Sequence, residues 1–311
     1  MLPRKRIIVN PKLHLSDTLY RIEDKFIRNF RKLPDSNRRN SFPYLSSDTY
    51  FFLCDKALDQ STNIKCHNKE NSFSSLYING NLFHEQGNAV LERLCEENSK
   101  YRTIVVGDTD FSPGQANLLE LKKYAKQVFC VNLVEKFDNS ILAIPLGLES
   151  QRYRSAGQIR DFSRAINFAA EKRKIGLLVA WNDATNFQIR SRAREELANL
   201  PFTTQVTRRI SARSIHLMMR HSLFVACPRG NGIDTHRFWE SVYLGAIPII
   251  LRKDRIPAYD IAPHLVLDSW LELNQYTYQE LLYLYSEKSI ELMSFRNTSI
   301  RFLKEIFGNL K

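Results

Sequence analysis

The sequence predicts an α/β protein in which parallel strands alternate with helices. Short apolar runs of strand length recur along the chain: Thr103-Ile104-Val105-Val106, Ile175-Gly176-Leu177-Leu178-Val179-Ala180, Leu223-Phe224-Val225-Ala226-Cys227 and Ile247-Pro248-Ile249-Ile250-Leu251. The stretches between them carry apolar residues at helical intervals, the usual connection between parallel strands. With 311 residues, the chain is long enough for two domains of about 150 residues each.

In the first half, the polar, aromatic-studded stretch from Asp35 to Asp48 reads as loop. Phe51-Phe52-Leu53-Cys54 reads as a short buried strand, Ala89 to Cys95 as helix, Thr103 to Val106 as strand, Leu118 to Ala125 as helix and Gln127 to Asn132 as strand. Ile144-Pro145-Leu146-Gly147-Leu148 is followed by the charge-rich segment Gln151 to Arg173, which predicts a boundary near residue 165 and domains over 1–165 and 166–311. The second half alternates more cleanly. The strand from Ile175 leads to a helix over Phe187 to Leu200 with Ile189, Ala193, Leu197 and Leu200 on its apolar stripe. Thr203 to Thr207 follows as strand, and Ser211 is placed to cap a helix running to His221. Then come the strand ending at Cys227, a helix over Asp234 to Leu244, the strand Ile247 to Leu251 and a mainly helical C-terminus. This is the element order of a doubly wound nucleotide-binding domain.

Composition narrows the partners without choosing one. The formal charge of +12 favours nucleic acid, an acidic membrane surface or phosphorylated substrates, beyond simply solvating the surface. No nucleic-acid-binding motif accompanies it. Glycine and proline, 11 each, exclude collagen-like and low-complexity chains. The five cysteines are spread and never form CxxC, and Cys66-His67 has no partners at ligand spacing, so neither a disulfide framework nor a structural metal is expected and a reducing compartment is. After the basic Met1-Leu2-Pro3-Arg4-Lys5-Arg6, the run Ile7-Ile8-Val9 is too short for a signal peptide, and no window approaches the ~18 apolar residues of a membrane span. The expectation is a cytoplasmic protein that meets a membrane, if at all, from its surface.

The segment Leu223 to Leu251 carries the chemistry. A buried strand ends at Cys227, and Pro228-Arg229-Gly230-Asn231-Gly232 turns the chain into a helix that Asp234 or Thr235 can cap. The two glycines let a ligand approach the main chain, and the free N–H groups of a helix start favour phosphate. Arg229 and Arg237 are placed to add charge-assisted hydrogen bonds to a diphosphate. Glu240, four residues after His236 and on the same helical face, can accept from ribose hydroxyls. Phe238 and Val242 would face the sheet, and Trp239 would be core. Each residue also has a structural reading: a plain turn at Gly230 and Gly232, a surface pair of Arg237 with Glu240, a structural His236.

The string from Cys227 through Pro248, Cys-Pro-Arg-Gly-Asn-Gly-Ile-Asp-Thr-His-Arg-Phe-Trp-Glu-Ser-Val-Tyr-Leu-Gly-Ala-Ile-Pro, resembles the donor-site signature of exostosin-like glycosyltransferases (family 47, including the ribitol xylosyltransferase type). The resemblance implies a GT-B fold, two Rossmann-like domains facing across a cleft, with the nucleotide sugar held mainly by the second. It implies Arg229, Gly230, Asn231, Gly232, Asp234, Thr235, His236 and Arg237 around the diphosphate and sugar, and Glu240 on the ribose. Trp181-Asn182-Asp183-Ala184-Thr185-Asn186 with Arg190 and Arg194 is similar to the first strand-loop-helix of such a domain, which adds Asn186 to the donor side. Arg208 and Arg209 supply either a further phosphate contact or a solvated basic loop. Related chains carry a His-Asn loop in the first half, where this chain reads Val106-Gly107-Asp108-Thr109-Asp110. The acceptor-side base is therefore expected at Asp108 or Asp110, with His236 as the third catalytic candidate and an acidic Asx turn as the alternative.

The function so implied is inverting, metal-independent transfer of a sugar from a nucleoside-diphosphate sugar, UDP-linked above all, to a saccharide or lipid-linked saccharide, with no cofactor and no nucleic acid. An anionic acceptor would suit the charge. The alternatives are a fucosyltransferase-like enzyme using a GDP-sugar, a non-catalytic nucleotide-sugar- or nucleic-acid-binding protein, and a transferase that binds donor without turnover.

Overall fold

A computed structural model describes residues 38–60, 63–66, 75–98, 100–153 and 159–308. The basic N-terminus, the run Ile7-Ile8-Val9, the start of the expected loop at 35–37 and His67 lie outside them. The chain forms two sheets flanked by helices, in the manner of two Rossmann-like units.

The first sheet contains β1 (Lys56–Leu58), β2 (Lys65–Cys66), β3 (Ser75–Asn79), β4 (Tyr101–Gly107), β5 (Ala125–Cys130) and β6 (Ile141–Ala143), in the order β2-β1-β3-β4-β5-β6. Only the edge pair β1–β2 is antiparallel. Side chains alternate across a strand, and here the two faces enter different cores. Leu76, Ile78, Ile104, Val106, Val128 and Cys130 pack beneath α2 (Gly80–Glu96) and α3 (Gln115–Lys122), through Phe83, Val90, Leu94, Leu118 and Leu121. Their neighbours Tyr77, Val105 and Phe129 face the other way, join Tyr50 and Phe51 of α1 (Ser47–Leu53), and are continuous with the core of the second half.

The second sheet is wholly parallel: β7 (Ile175–Val179), β8 (Thr203–Gln205), β9 (Ser222–Ala226), β10 (Ile247–Leu251) and β11 (Leu265–Leu267), ordered β11-β10-β9-β7-β8. The winding reverses between β7 and β9. Open α/β sheets bind ligands outside the carboxyl ends of the strands at that reversal, so the sheet itself directs attention to the loops after β7 and β9. Helices α4 (Phe187–Leu197), α5 (Ala212–Arg220) and α6 (His236–Tyr243) connect these strands. Ser211 caps α5 by accepting from Ser214 N at 3.0 Å, as its position in the sequence predicts.

The long α7 (Tyr278–Phe307) starts with a reciprocal capping box between Thr277 and Glu280. It spans both halves. Tyr285 donates to the Gly245 carbonyl at 2.8 Å in the second half, while Phe307 stacks on Tyr50 at 6.5 Å in the first. Arg296 donates to the Tyr44 hydroxyl at 3.1 Å and to the Phe162 carbonyl at 2.9 Å. Among the described residues, no helix is long and apolar enough to cross a membrane.

The segment expected as a strand at Phe51 to Cys54 is instead the end of α1. Ser46 caps that helix by accepting from Thr49 N, Asp48 occupies its first turn, and a four-residue apolar run carries no periodicity strong enough to override such a start. The helix expected from Ala89 starts at Gly80, the other expected elements are present within a few residues, and β1, β2, β3, β6 and β11 are additions.

Within the first half, the loop after β6 returns to the start of α1. Gly147 has φ of +72°, bridges to Ser46, and lies so close that an added Cβ would overlap the Leu45 carbonyl. Gly147→Ala is therefore expected to destabilise the protein by about 2–4 kcal/mol, since both the left-handed backbone and the clash oppose a side chain there. Urea unfolding followed by circular dichroism measures it.

Candidate functional site

The glycine loop between β9 and α6 stands at the winding reversal, and α4 holds it from below. Asn186, at the α4 N-cap, donates its side-chain N–H to the Gly230 carbonyl at 3.0 Å. Arg190 donates to the carbonyls of Arg229 (3.1 Å), Pro228 (3.3 Å) and Asn182 (3.0 Å), and to the Thr185 hydroxyl. Burial, together with the nearby Arg237 charge, lowers Arg190 to about 10. A Cβ at Gly230 would come within 2.9 Å of the Arg190 guanidinium, the movable end of that side chain. Asn186, expected on the donor, thus bonds the main chain of the loop, and Arg190 makes more contacts of that kind.

Thr235 rather than Asp234 caps α6, accepting from Phe238 N at 3.4 Å. The first N–H groups of a helix have no intrahelical acceptor, so this end opens towards the loop. Two arginines flank it. Arg229 and Arg237 each have a buried Nε with no hydrogen-bond partner among the described residues. An unpaired buried donor costs roughly 1–3 kcal/mol. Arg237 is otherwise anchored by Glu240, whose Oε2 accepts from it at 2.9 Å.

Glu240 belongs to a buried chain of charge. Its Oε1 is 3.6 Å from His216 Nε2 of α5, and His216 Nδ1 is 3.0 Å from Asp161 Oδ2. Burial opposes the Glu240 charge, but Arg237 and then His216 outweigh it and hold the carboxyl at about 2. Burial likewise opposes charge on His216, and its bonds to Asp161 and Glu240 reverse that and raise it. The Glu240 side chain is 9% exposed, so contact with a ribose requires it to share Arg237.

The loop is pinned to the first half. Asp234, 2% exposed, accepts from Leu146 N and from Trp239 Nε1, both at 2.8 Å, and its own backbone N–H donates to Asn132 Oδ1 at 2.8 Å. Asp234 is thus an internal strut, although the signature places it near donor. Gly232 makes the approach possible: a Cβ there would meet the Asp110 carbonyl at 2.9 Å and the Asn132 amide at 3.1 Å. Asn231 donates to Asp110 Oδ2 at 3.3 Å. His236 donates through Nδ1 to the Gly147 carbonyl at 2.7 Å, and its Nε2 is 3.4 Å from Glu149 Oε2.

The two acidic candidates after β4 face different partners. Asp108, in the left-handed region at φ of +60°, places Oδ2 against Arg38 at 2.7 Å, Asn79 at 3.3 Å and Arg152. Arg38 also joins Asp48 and Asp59, at 2.9 and 2.7 Å. Asp108 is therefore an anchor of an ion-pair cluster with Arg38 and Arg152. Asp110 is exposed and accepts from the loop amide of Asn231. Arg208 and Arg209 lie exposed after β8, at the same carboxyl edge of the sheet. Missing from the sequence reading are Arg190 as loop clamp, Asn132 as its counterpart in the first half, Asp161 with His216 behind Glu240, and Glu149 beside His236.

No protein-family model matches the chain, and no curated protein matches it. Its site has to be understood from these contacts.

The chain of charges sets a pH dependence. Glu240 lies below its ordinary 4.5 in the fold, so its contribution is present above 4.5 and is lost as pH falls towards about 2. His216, raised above 6.5, contributes below 6.5 and ceases to as pH rises through its folded value. Glu240→Gln should cost about 3–5 kcal/mol at neutral pH by leaving Arg237 and His216 uncompensated, and should flatten the acid side of the curve. His216→Gln should flatten the alkaline side and, by removing one of the groups that hold Glu240 down, part of the acid side too. Urea midpoints collected between acid and alkaline pH would read both.

Proposed function

We propose that this chain is a GT-B glycosyltransferase that transfers sugar from a nucleoside-diphosphate sugar, UDP-linked above all, to a saccharide or glycolipid hydroxyl. The observation that carries it is a glycine loop that runs into a helix start at the winding reversal of a parallel sheet, with Arg229 before the glycines and Arg237 in the first turn of that helix. A diphosphate supplies what those groups need: acceptor oxygens for two guanidinium forks and negative charge for a helix N-terminus. The loop leaves the carboxyl edge of the second sheet and meets loops from the carboxyl edge of the first, at Asp110, Asn132 and Gly147. That juxtaposition supports two units facing across a cleft.

In this reading the diphosphate is cradled by Arg229, Arg237 and the main chain of Gly230, Asn231 and Gly232. Glu240 takes a ribose hydroxyl while remaining bound to Arg237. When the bond from the anomeric carbon to the diphosphate breaks, charge grows on the leaving oxygen, and fixed donors stabilise it without reorganising. Asn186, Arg190, Asp234 and Thr235 keep the cradle in shape.

A thermal-shift panel of UDP, GDP, ADP and their sugars tests this on the wild type, Arg229→Ala and Arg237→Ala. One nucleotide at a hundred times its Kd should stabilise the wild type by about 2.7 kcal/mol, with the gain lost in both variants. Stabilisation by GDP and not UDP would move the donor to the guanine class. If mixed oligonucleotides stabilise the protein and no nucleotide sugar does, it is a nucleic-acid binder.

A further inference from the structure

Six carboxylates lie at or near the glycine loop; Asp254 is buried beside Arg229 with one oxygen that meets no donor among the described residues, and four others have settled partners. Asp108 is held by Arg38 and Arg152, Asp234 bridges Leu146 and Trp239, Glu240 is locked between Arg237 and His216, and Asp110 is exposed against Asn231. Glu149 differs. It lies on the strand-like segment that leaves β6 and carries the chain towards the second half. Its Oε1 accepts from Ser150 N at 3.0 Å, and its Oε2 is 3.4 Å from His236 Nε2. Both side chains are partly open, 23% for Glu149 and 29% for His236.

We propose that Glu149 is the general base that takes the proton from the acceptor hydroxyl, and that His236 positions it. The proposal rests on the donor reading above. His236 is the first residue of α6, so a diphosphate held at the start of that helix brings the attached anomeric carbon close to the His236–Glu149 pair. Glu149 reaches this place from the opposite half, the side from which an acceptor enters. The acceptor oxygen forms its bond to the anomeric carbon as the bond to the diphosphate oxygen breaks. The electron pair leaves with the nucleoside diphosphate, and the hydroxyl proton passes to Glu149 Oε2 and then to solvent. His236 donates through Nδ1 to the Gly147 carbonyl, which fixes the ring and aims Nε2 at the carboxylate.

The surroundings suit a base. Burial pushes the Glu149 carboxyl up; His236 opposes that, Asp108 adds to it, and the Ser150 N–H opposes it. Glu240 and Tyr153 also face it. Burial disfavours charge on His236, and Glu149, the Gly147 carbonyl, Glu240 and Asp234 together raise it nonetheless. A base works best when its proton affinity approaches that of its medium. Because Glu149 must be ionised to act, turnover falls as pH drops through its raised value. Removing the His236 charge raises that value further.

The test uses the full chain and the nucleotide sugar giving the largest thermal shift, with release of nucleoside diphosphate to water as the readout. Glu149→Gln should lower kcat by about 10²-fold or more, with Kd for the nucleotide sugar changed by less than about threefold. His236→Gln should keep turnover at alkaline pH and move the acid limb of kcat to higher pH, which a merely structural role would not do. Asp110→Asn should lose less than Glu149→Gln. The proposal is overturned if Glu149→Gln turns over like wild type, if its loss is all in binding, if the acid limb stays in place in His236→Gln, or if the largest loss belongs to Asp110→Asn. A wild type that binds nucleotide sugar and releases nothing overturns it too. Failure of the wild type to bind any nucleotide sugar would instead remove the donor reading beneath it.

Discussion

One buried carboxylate organises the junction of the two halves. Asp234 receives N–H groups from Leu146 of the first half and Trp239 of the second, while its own amide is taken by Asn132. Burial raises its carboxyl to about 6 in spite of those bonds, so the group is costly, and its role is geometric. Trp239 lies on α6 and Asp234 precedes that helix by two residues, so the bond from the indole fixes the helix against its own loop. The direction of the helix start, the height of the glycine loop and the closeness of Asn231 to Asp110 all follow from that fixture.

Charge in the interior is arranged in separate sets. Arg38 with Asp48, Asp59 and Asp108 forms one on the first sheet, and Asp161, His216, Glu240 and Arg237 form the other beneath α6. A buried ion pair contributes little net stability, because desolvation offsets attraction, yet losing one partner is expensive. Such sets act best as positioning devices. Arg152 also meets Asp108 of the first set, and Arg237 ends the second. A third buried cation, Arg173, is held by the carbonyls of Ser222 and Leu244 and only supports the second sheet.

The second half was the more legible in sequence, for a physical reason. Its central strands are buried on both faces and so are continuous apolar runs, as at Leu223 to Ala226 and Ile247 to Leu251. The first half contains strands of three residues, Lys56–Leu58 and Ile141–Ala143, which have no period to read, and an aromatic run at Phe51 that a single serine cap turns into helix. At the site, the glycine loop and the helix that follows it were visible because their residues are contiguous. Asn132 with Asp234, 102 residues apart, and Asp161 with His216, 55 apart, were not, because only tertiary packing brings them together. Asp108 and Asp234 looked like chemistry in one dimension; their ion-pair and amide partners make them supports in three.

The path of α7 bears on how the protein is made. The inward face of the first sheet, with Tyr50, Tyr77 and Phe129, shares its core with the second half, and Phe307 stacks on Tyr50. A ribosome that has produced the first 150 or so residues has therefore released a sheet with one face covered by α2 and α3 and the other covered only by α1. That face stays adhesive for neighbouring chains until residues 278–307 emerge. Synthesis, not the finished fold, is the stage at which this protein most needs a chaperone.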